Sequence, residues 1–202
     1  RIPVPVEINA SAHADDDFSK NKSIAELTDW NIYSPVWAPV SLEGQWLKLQ
    51  DKDPFDYAKV ERKIPASKEL KVSFDLKAGQ NNKGTLQIEF LDENGIACSR
   101  MELTDDGIFR LKGGSRFANM MKYEAGKVYH VEAVLSTVDR NIQVYVDGKR
   151  VGLRMFYAPV AAVERIVFRT GVPRTFPTVD TPADQTYDLP NAGAQDPLDE
   201  YG

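Results

Sequence analysis

Residues 126–148, GKVYHVEAVLSTVDRNIQVYVDG, decide the fold of this chain. The segment 129–135 is followed by a polar turn at 139–141, and Ile142, Val144 and Val146 then alternate with polar residues. A period of two places every second side chain on one face of a strand. Two such runs joined by a short polar turn predict an antiparallel hairpin.

The same period of two continues on both sides of this hairpin. Leu70, Val72, Phe74 and Leu76 alternate with polar residues, which is the pattern of a strand with one buried face. Further segments of this kind lie at 86–90, 96–103, 108–111, 149–153 and 165–169. At least eight strands without a long amphipathic helix predict an all-β fold, an antiparallel jelly-roll β-sandwich.

Proline and charge divide the chain into three parts. Residues 1–40 contain four prolines and an acidic run, and we expect an irregular N-terminal segment that packs on the sandwich. Residues 41–172 form the predicted sandwich core. Residues 173–202 carry five prolines and six acidic residues, so they cannot supply a central strand and are predicted to be an extended wrap or linker.

Composition excludes several classes of function. The 202 residues are 42% apolar with a formal charge of -5, so no basic excess favours a nucleic-acid partner. Cys98 is the single cysteine, which excludes an intrachain disulfide and a cysteine-based zinc site. No apolar stretch is long enough to span a membrane. The sequence starts at Arg1 without an apolar signal core, so we expect a targeting peptide or domain upstream.

The hairpin also carries a family resemblance. The matching residues are Gly126, Tyr129, His130 and Val131 at its opening and Val144, Tyr145, Val146, Asp147 and Gly148 at its close. They resemble the hairpin of the concanavalin A-like lectin/glucanase and laminin-G-like domains, although Val128 stands where that family usually has Trp. Residues 163–168 look like the strand that follows this hairpin. The segment 46–62 is similar to modules attached to bacterial polysaccharide-degrading enzymes.

The resemblance covers enzymes and binding modules alike, because a fold does not determine an activity. A retaining glucanase needs two carboxylates about 5 Å apart, and family members carry them in a Glu-x-Asp-x-x-Glu motif that is missing here. Alternation still points Glu89, Glu102 and Arg100 to the polar side of neighbouring strands. Glu89 and Glu102 are therefore alternative catalytic residues, and an ion-paired surface is the other interpretation.

A polysaccharide lyase would need a base such as His or Tyr and a group that neutralises a uronate carboxylate. Alginate lyases of this fold carry a Gln-Ile-His strand, but Gln87 and Ile88 are followed here by Glu89. His130 is the remaining candidate base, and in the family hairpin its position is structural.

Arginines and tyrosines offer a second kind of site, for an acidic glycan. Guanidinium groups hold carboxylates bidentately, and aromatic rings stack on sugars. The candidates are Arg100, Arg110, Arg116, Arg165, Arg169, Tyr145 and Tyr157. Of these we predict Arg100, Tyr145, Arg165 and Arg169 as ligand-binding residues. An ordinary solvated sheet surface is the alternative.

One acidic run could bind a metal. Asp51, Asp53 and Asp56 provide oxygen ligands of the kind that calcium prefers, without the spacing of an EF-hand loop. A polar turn is the alternative interpretation, and no other cofactor is expected.

The leading hypothesis is a non-catalytic β-sandwich accessory module of a secreted carbohydrate-active protein. It would lie next to another domain of a larger protein and bind carbohydrate, including acidic polysaccharide, on its polar sheet face. The alternatives are a jelly-roll glycoside hydrolase or polysaccharide lyase and a structural domain without a ligand. A secreted, periplasmic or cell-surface location follows from the leading hypothesis.

Overall fold

The computed structural model of the chain describes residues 14–53 and 56–171 and the backbone of 199–201. Two short 3-10 helices, Phe18–Lys20 and Ile24–Glu26, precede the first strand. The described strands are β1 (Trp30–Tyr33), β2 (Val40–Glu43), β3 (Trp46–Asp51), β4 (Lys59–Ser67), β5 (Glu69–Lys77), β6 (Leu86–Leu91), β7 (Ala97–Leu103), β8 (Ile108–Gly113), β9 (Arg116–Lys122), β10 (Val128–Ser136), β11 (Asn141–Val146), β12 (Lys149–Met155), β13 (Val163–Thr170) and β14 (Asp199–Tyr201). None of the described helices is long and apolar enough to cross a membrane.

These strands form three antiparallel sheets. The largest has seven strands in the order β1-β4-β13-β6-β7-β8-β9. A four-stranded sheet, β12-β11-β10-β5, and a three-stranded sheet, β14-β3-β2, complete the architecture. The predicted all-β antiparallel jelly-roll β-sandwich is confirmed.

The hairpin that the sequence predicts is β10 and β11. The two strands pair in register from Val131 opposite Val146 to Ser136 opposite Asn141. The following turn consists of Asp147 and Gly148, with φ angles of 49° and 79°. Two successive left-handed residues are typical of a type I′ turn, whose twist matches that of the flanking strands.

The core lies between the seven-stranded sheet and the two smaller sheets. The four-stranded sheet contributes alternate buried residues of β10 and β11, and the three-stranded sheet contributes Leu47 and Leu49 of β3. The largest fully buried side chains are Phe90, Leu86, Ile88, Met101, Leu111, Leu135, Ile142, Gln87, Val60, Val131 and Val144. Apart from Gln87, these side chains belong to the core, so the residues that alternate with them along the large sheet face away from it and form its outer surface.

The two ends of the chain add short strands. β1 lies inside the segment that the sequence analysis describes as irregular, and it pairs with β4 at one edge of the large sheet. β14 pairs with β3 as an edge strand. The rest of the predicted wrap, up to residue 198, and the first thirteen residues lie outside the described part of the chain.

Candidate functional site

The outer surface of the seven-stranded sheet collects most of the polar residues that the sequence singles out. On β6, Leu86, Ile88 and Phe90 point into the core, so Gln87 and Glu89 point away from it. Strand register extends this alternation across the sheet. The outward-pointing residues, called the polar face below, are Lys59, Glu61, Lys63, Gln87, Glu89, Arg100, Glu102, Arg110, Lys112, Phe117, Asn119, Arg165, Val167 and Arg169. Seven of them are cations and three are carboxylates, so this face is positive although the whole chain is acidic.

Two arginine–glutamate pairs occupy the centre of the polar face. Arg100 Nη2 lies 3.4 Å from Glu89 Oε2. Glu102 accepts from Arg110 Nη2 and, through its other oxygen, from the amide of Gln87. Glu102 and Gln87 are 4% and 2% exposed, so they form the floor of this surface. These ion pairs hold both guanidinium groups in fixed positions, which favours two or more hydrogen bonds from one guanidinium group to a ligand.

A third carboxylate binds the cations on the β4 and β13 side. Glu61 is buried, with Arg165 Nη1 at 3.6 Å and Lys59 Nζ at 3.8 Å from its two oxygens. Arg165 also donates through Nη2 to the backbone oxygen of Glu93 at 2.7 Å. This end of the polar face is therefore crosslinked between the sheet and the β6–β7 turn.

Tyr157 covers one side of the polar face. It follows β12, and its backbone N–H donates to the carbonyl oxygen of Cys98 on β7 at 3.0 Å. The Nζ of Lys112 lies 4.4 Å from the centre of its ring, and the Cζ of Arg100 lies 5.8 Å from it. These distances are within the range of cation–π contacts.

A second aromatic group lies on the other side of the same face. The Cζ of Arg169 lies 4.1 Å from the ring centre of Tyr57, which in turn lies 4.9 Å from the ring of Tyr33. Arg169 is on β13 and Lys112 on β8, so these two strands are three strand spacings, about 14 Å, apart across the sheet. Rings beside cations on strands this far apart, with polar side chains between them, suit an elongated ligand that runs across the strands.

Several polar atoms of this surface are buried without a hydrogen-bond partner in the described part of the chain. They are Tyr157 Oη, Gln87 Oε1, Arg100 Nε, Arg110 Nε and Arg165 Nε. Burial raises the pKa of the Tyr157 phenol to about 12. Burial, and then the positive charge of Arg100, lower the pKa of Lys112. Unpaired buried polar groups are costly, so ordered water or a bound molecule supplies their partners.

Five of the seven residues predicted as ligand-binding or as alternative catalytic residues lie on this face. They are the ligand-binding candidates Arg100, Arg165 and Arg169 and the alternative catalytic residues Glu89 and Glu102. Each of the two glutamates is paired with an arginine in the described structure. The placement matches the alternation in the sequence, and the binding roles stay predictions.

Tyr145 and His130 lie on the other sheet. On β11 of the four-stranded sheet, Val144 and Val146 are buried, so Tyr145 between them faces outward, where its hydroxyl donates to Gln143. Tyr145 therefore lies on a different sheet from the three arginines, and its ligand-binding role stays a prediction. His130 Nδ1 lies 2.8 Å from Asp75 Oδ1 on the same outer surface, far from Glu89 and Glu102 across the sandwich.

The aspartates considered for calcium form hydrogen bonds with other residues of the chain. Asp51 is buried and accepts from the N–H of Asp53 at 3.0 Å and from the hydroxyl of Thr170 at 3.3 Å. Asp56 accepts from the hydroxyl of Tyr33 at 3.2 Å. Within residues 14–53 and 56–171 there is no group of three or more His, Cys, Asp or Glu side chains able to hold a metal ion. Calcium binding by these aspartates stays a prediction.

Comparison with known proteins identifies the family. Residues 30–185 match the family model described as "Sialidase-like, CBM domain". The chain belongs to this family. A carbohydrate-binding module (CBM) is non-catalytic, so the prediction of an accessory module in place of an enzyme is confirmed. The family gives no support to a hydrolase or lyase built on Glu89, Glu102 or His130.

This sialidase-like CBM spans about a fifth of the length of one similar solved structure. A structure titled "Sialidase" is 88% identical, with a TM-score of 0.84 over 100% of this chain but only 19% of that one. An "Apo Crh5 transglycosylase" structure is 13% identical, with a TM-score of 0.63, covering 92% of this chain and 79% of that one. A structure titled for endo-acting O-glycanases of the human gut microbiota is also 13% identical, with a TM-score of 0.61 and coverage of 92% and 93%. The last two show the fold alone. A search of curated proteins found no match.

Two residues of the candidate site, Lys112 and Tyr57, were missed in the sequence. Lys112 shares the alternation of Arg110 on β8, so the period of two could have placed it beside the predicted arginines. Tyr57 precedes β4, and no local pattern connects it with Arg169, which is more than 100 residues later in the chain.

Proposed function

We propose that the polar face is the carbohydrate-binding surface of this sialidase-like CBM. The observation that supports it most is the pair of aromatic groups, Tyr57 and Tyr157, that flank ion-paired arginines on one sheet. Aromatic rings present an apolar surface to sugar rings, while fixed polar side chains bind the hydroxyl groups. An extended sheet surface supplies both without a deep pocket.

We also propose that the glycan is acidic. The polar face has more than twice as many cations as carboxylates, whereas the chain as a whole has a charge of -5. Since a charged surface attracts ligands of the opposite sign, this concentration of lysine and arginine favours a carboxylate-bearing polysaccharide over a neutral one. Arginine is well suited to the task because its planar guanidinium binds a carboxylate bidentately.

The larger protein is proposed to be an exported, bacterial carbohydrate-active enzyme with a sialidase domain. This rests on the structure titled "Sialidase", of which the chain covers 19%. In that setting the module would hold the catalytic domain on its polymeric substrate and raise the local substrate concentration. The relation to concanavalin A-like and laminin-G-like domains also stays a proposal, supported by the β10–β11 hairpin.

A glycan array followed by isothermal titration calorimetry would test the surface. Tyr57→Ala removes the ring beside Arg169, and we expect binding of the best glycan to weaken about five-fold, equivalent to about 1 kcal/mol. Tyr145→Ala is the matched control, because it removes an outward-facing tyrosine from the opposite sheet. Weaker binding by the Tyr145 variant alone would place the site on the four-stranded sheet. An absence of binding at millimolar glycan would favour a structural domain without a ligand.

A further inference from the structure

Lys112 differs from its neighbours on the polar face. Arg100, Arg110 and Arg165 each lie within 4.0 Å of a glutamate oxygen. Lys112 forms no such ion pair with any residue of the described chain, and its described contact is the ring of Tyr157, 4.4 Å from Nζ. It is half-buried, next to a second cation, Arg100.

A half-buried lysine without a carboxylate partner is unfavourable for the free protein. Burial removes part of the hydration of the ammonium group, and the neighbouring guanidinium repels it. The same causes lower the pKa of Lys112. The charges of Glu89 and Glu102 offset part of this effect without forming an ion pair with Lys112, and an arriving anion would supply a close countercharge.

Tyr157, whose ring contacts Lys112, also carries an uncharged hydroxyl group that can form hydrogen bonds. Its hydroxyl is buried and has no partner in the described part of the chain, and Arg100 Nε is in the same condition. A phenol and an ammonium group both donate, and a carboxylate accepts through two oxygens. Lys112 Nζ and Arg100 Cζ lie 4.4 Å and 5.8 Å from the centre of the Tyr157 ring, so the three side chains that carry these donors lie together.

We propose that Lys112, Arg100 and Tyr157 form the subsite that binds the carboxylate of an acidic sugar. This inference rests on the proposed function of the polar face and adds which sugar group is recognised and where. The ring of Tyr57 lies beside Arg169 on β13, three strands from Lys112 on β8, and contacts a different unit of the same glycan. The ligand class is a sugar carboxylate, as found in sialic acids and in uronic acids.

The test compares acidic probes with their neutral esters by isothermal titration calorimetry at constant ionic strength. The probes are 3′-sialyllactose and trigalacturonic acid, each with its methyl ester. For at least one probe we expect the wild-type chain to bind the acid about ten-fold more tightly than the ester. A difference for 3′-sialyllactose indicates a sialic acid as the ligand, and a difference for trigalacturonic acid indicates a uronic acid.

Lys112→Met is expected to abolish this difference by weakening the acid about ten-fold while leaving the ester unchanged. Lys149→Met is the matched control, because it removes the same charge from an exposed residue of β12 on the other sheet. Tyr157→Phe is a second variant that removes only the hydroxyl, and it should weaken the acid a few-fold. Lys112→Arg should retain most of the preference.

Two outcomes would overturn the subsite. Equal affinity of the wild-type chain for acid and ester excludes carboxylate recognition. Equal losses of affinity for the acid in the Lys112 and Lys149 variants would show that the preference depends only on the net charge of the chain. Backbone chemical shifts separate this failure from failure of the proposed function. Ligand-induced shifts around Tyr57 without a carboxylate preference refute the subsite alone. Shifts confined to the four-stranded sheet refute the proposed surface itself.

Discussion

Replacing Glu102 with alanine should lower the free energy of unfolding by about 2–3 kcal/mol, because a half-buried arginine and a buried amide lose their acceptor. Glu102 lies on the floor of the polar face and accepts from Arg110 and Gln87. Breaking a fully buried ion pair costs about 3–5 kcal/mol. Arg110 is 35% exposed and can turn toward water, so we reduce its share to about 1 kcal/mol. The amide of Gln87 stays buried and unpaired, which adds about 1–2 kcal/mol.

Urea unfolding followed by tryptophan fluorescence measures this change. Glu102→Gln should cost less, about 1 kcal/mol, because an amide retains an acceptor for Gln87. Glu132→Ala is the control, since it removes the same charge from an exposed pair with Lys71 on the other sheet. That pair should contribute at most about 0.5 kcal/mol. Equal destabilisation by the Glu102 and Glu132 variants would refute the argument that the floor of the polar face is stabilised by buried pairing.

Two further predictions concern the chemistry and the turns of the fold. Burial raises the pKa of Cys98 to about 12, so a thiol reagent at pH 8 should fail to label the folded chain and should label it fully in denaturant. Rapid labelling of the native protein would show that Cys98 is accessible. Gly148 has a φ of 79° in the turn after β11, so Gly148→Ala should lower stability by about 1 kcal/mol. Gly148→Asn should lower it less, because asparagine tolerates left-handed backbone; thermal unfolding that ranks the two variants in the opposite order would contradict this reason.

The strands were predictable because their signal is local. The segments 129–135 and 142–146 became β10 and β11 with one additional residue at three of their four ends. Alternation on β6 and β7 also placed Glu89, Arg100 and Glu102 on the outward surface before any strand was paired. A period of two is set by the backbone of each strand, so it needs no knowledge of neighbours.

The loop contributions to the candidate site were not predictable in the same way. Tyr57 and Tyr157 lie outside the strands, and their positions depend on where the chain returns to the sheet. The backbone N–H of Tyr157 binds the carbonyl of Cys98, 59 residues earlier in the sequence. No local pattern carries such a contact, because loop residues have neither a fixed period nor a fixed partner.

The sequence by itself determined that this protein is an antiparallel β-sandwich, and it determined which side of each strand is polar. Only the tertiary structure decided which polar sides share a surface. β13 lies between β4 and β6, so Arg165 and Arg169 join Arg100 on one face, while Tyr145 lies on the opposite sheet. The physical reason is that alternation is a property of one strand, whereas sheet neighbours are chosen by long-range hydrogen bonding and core packing.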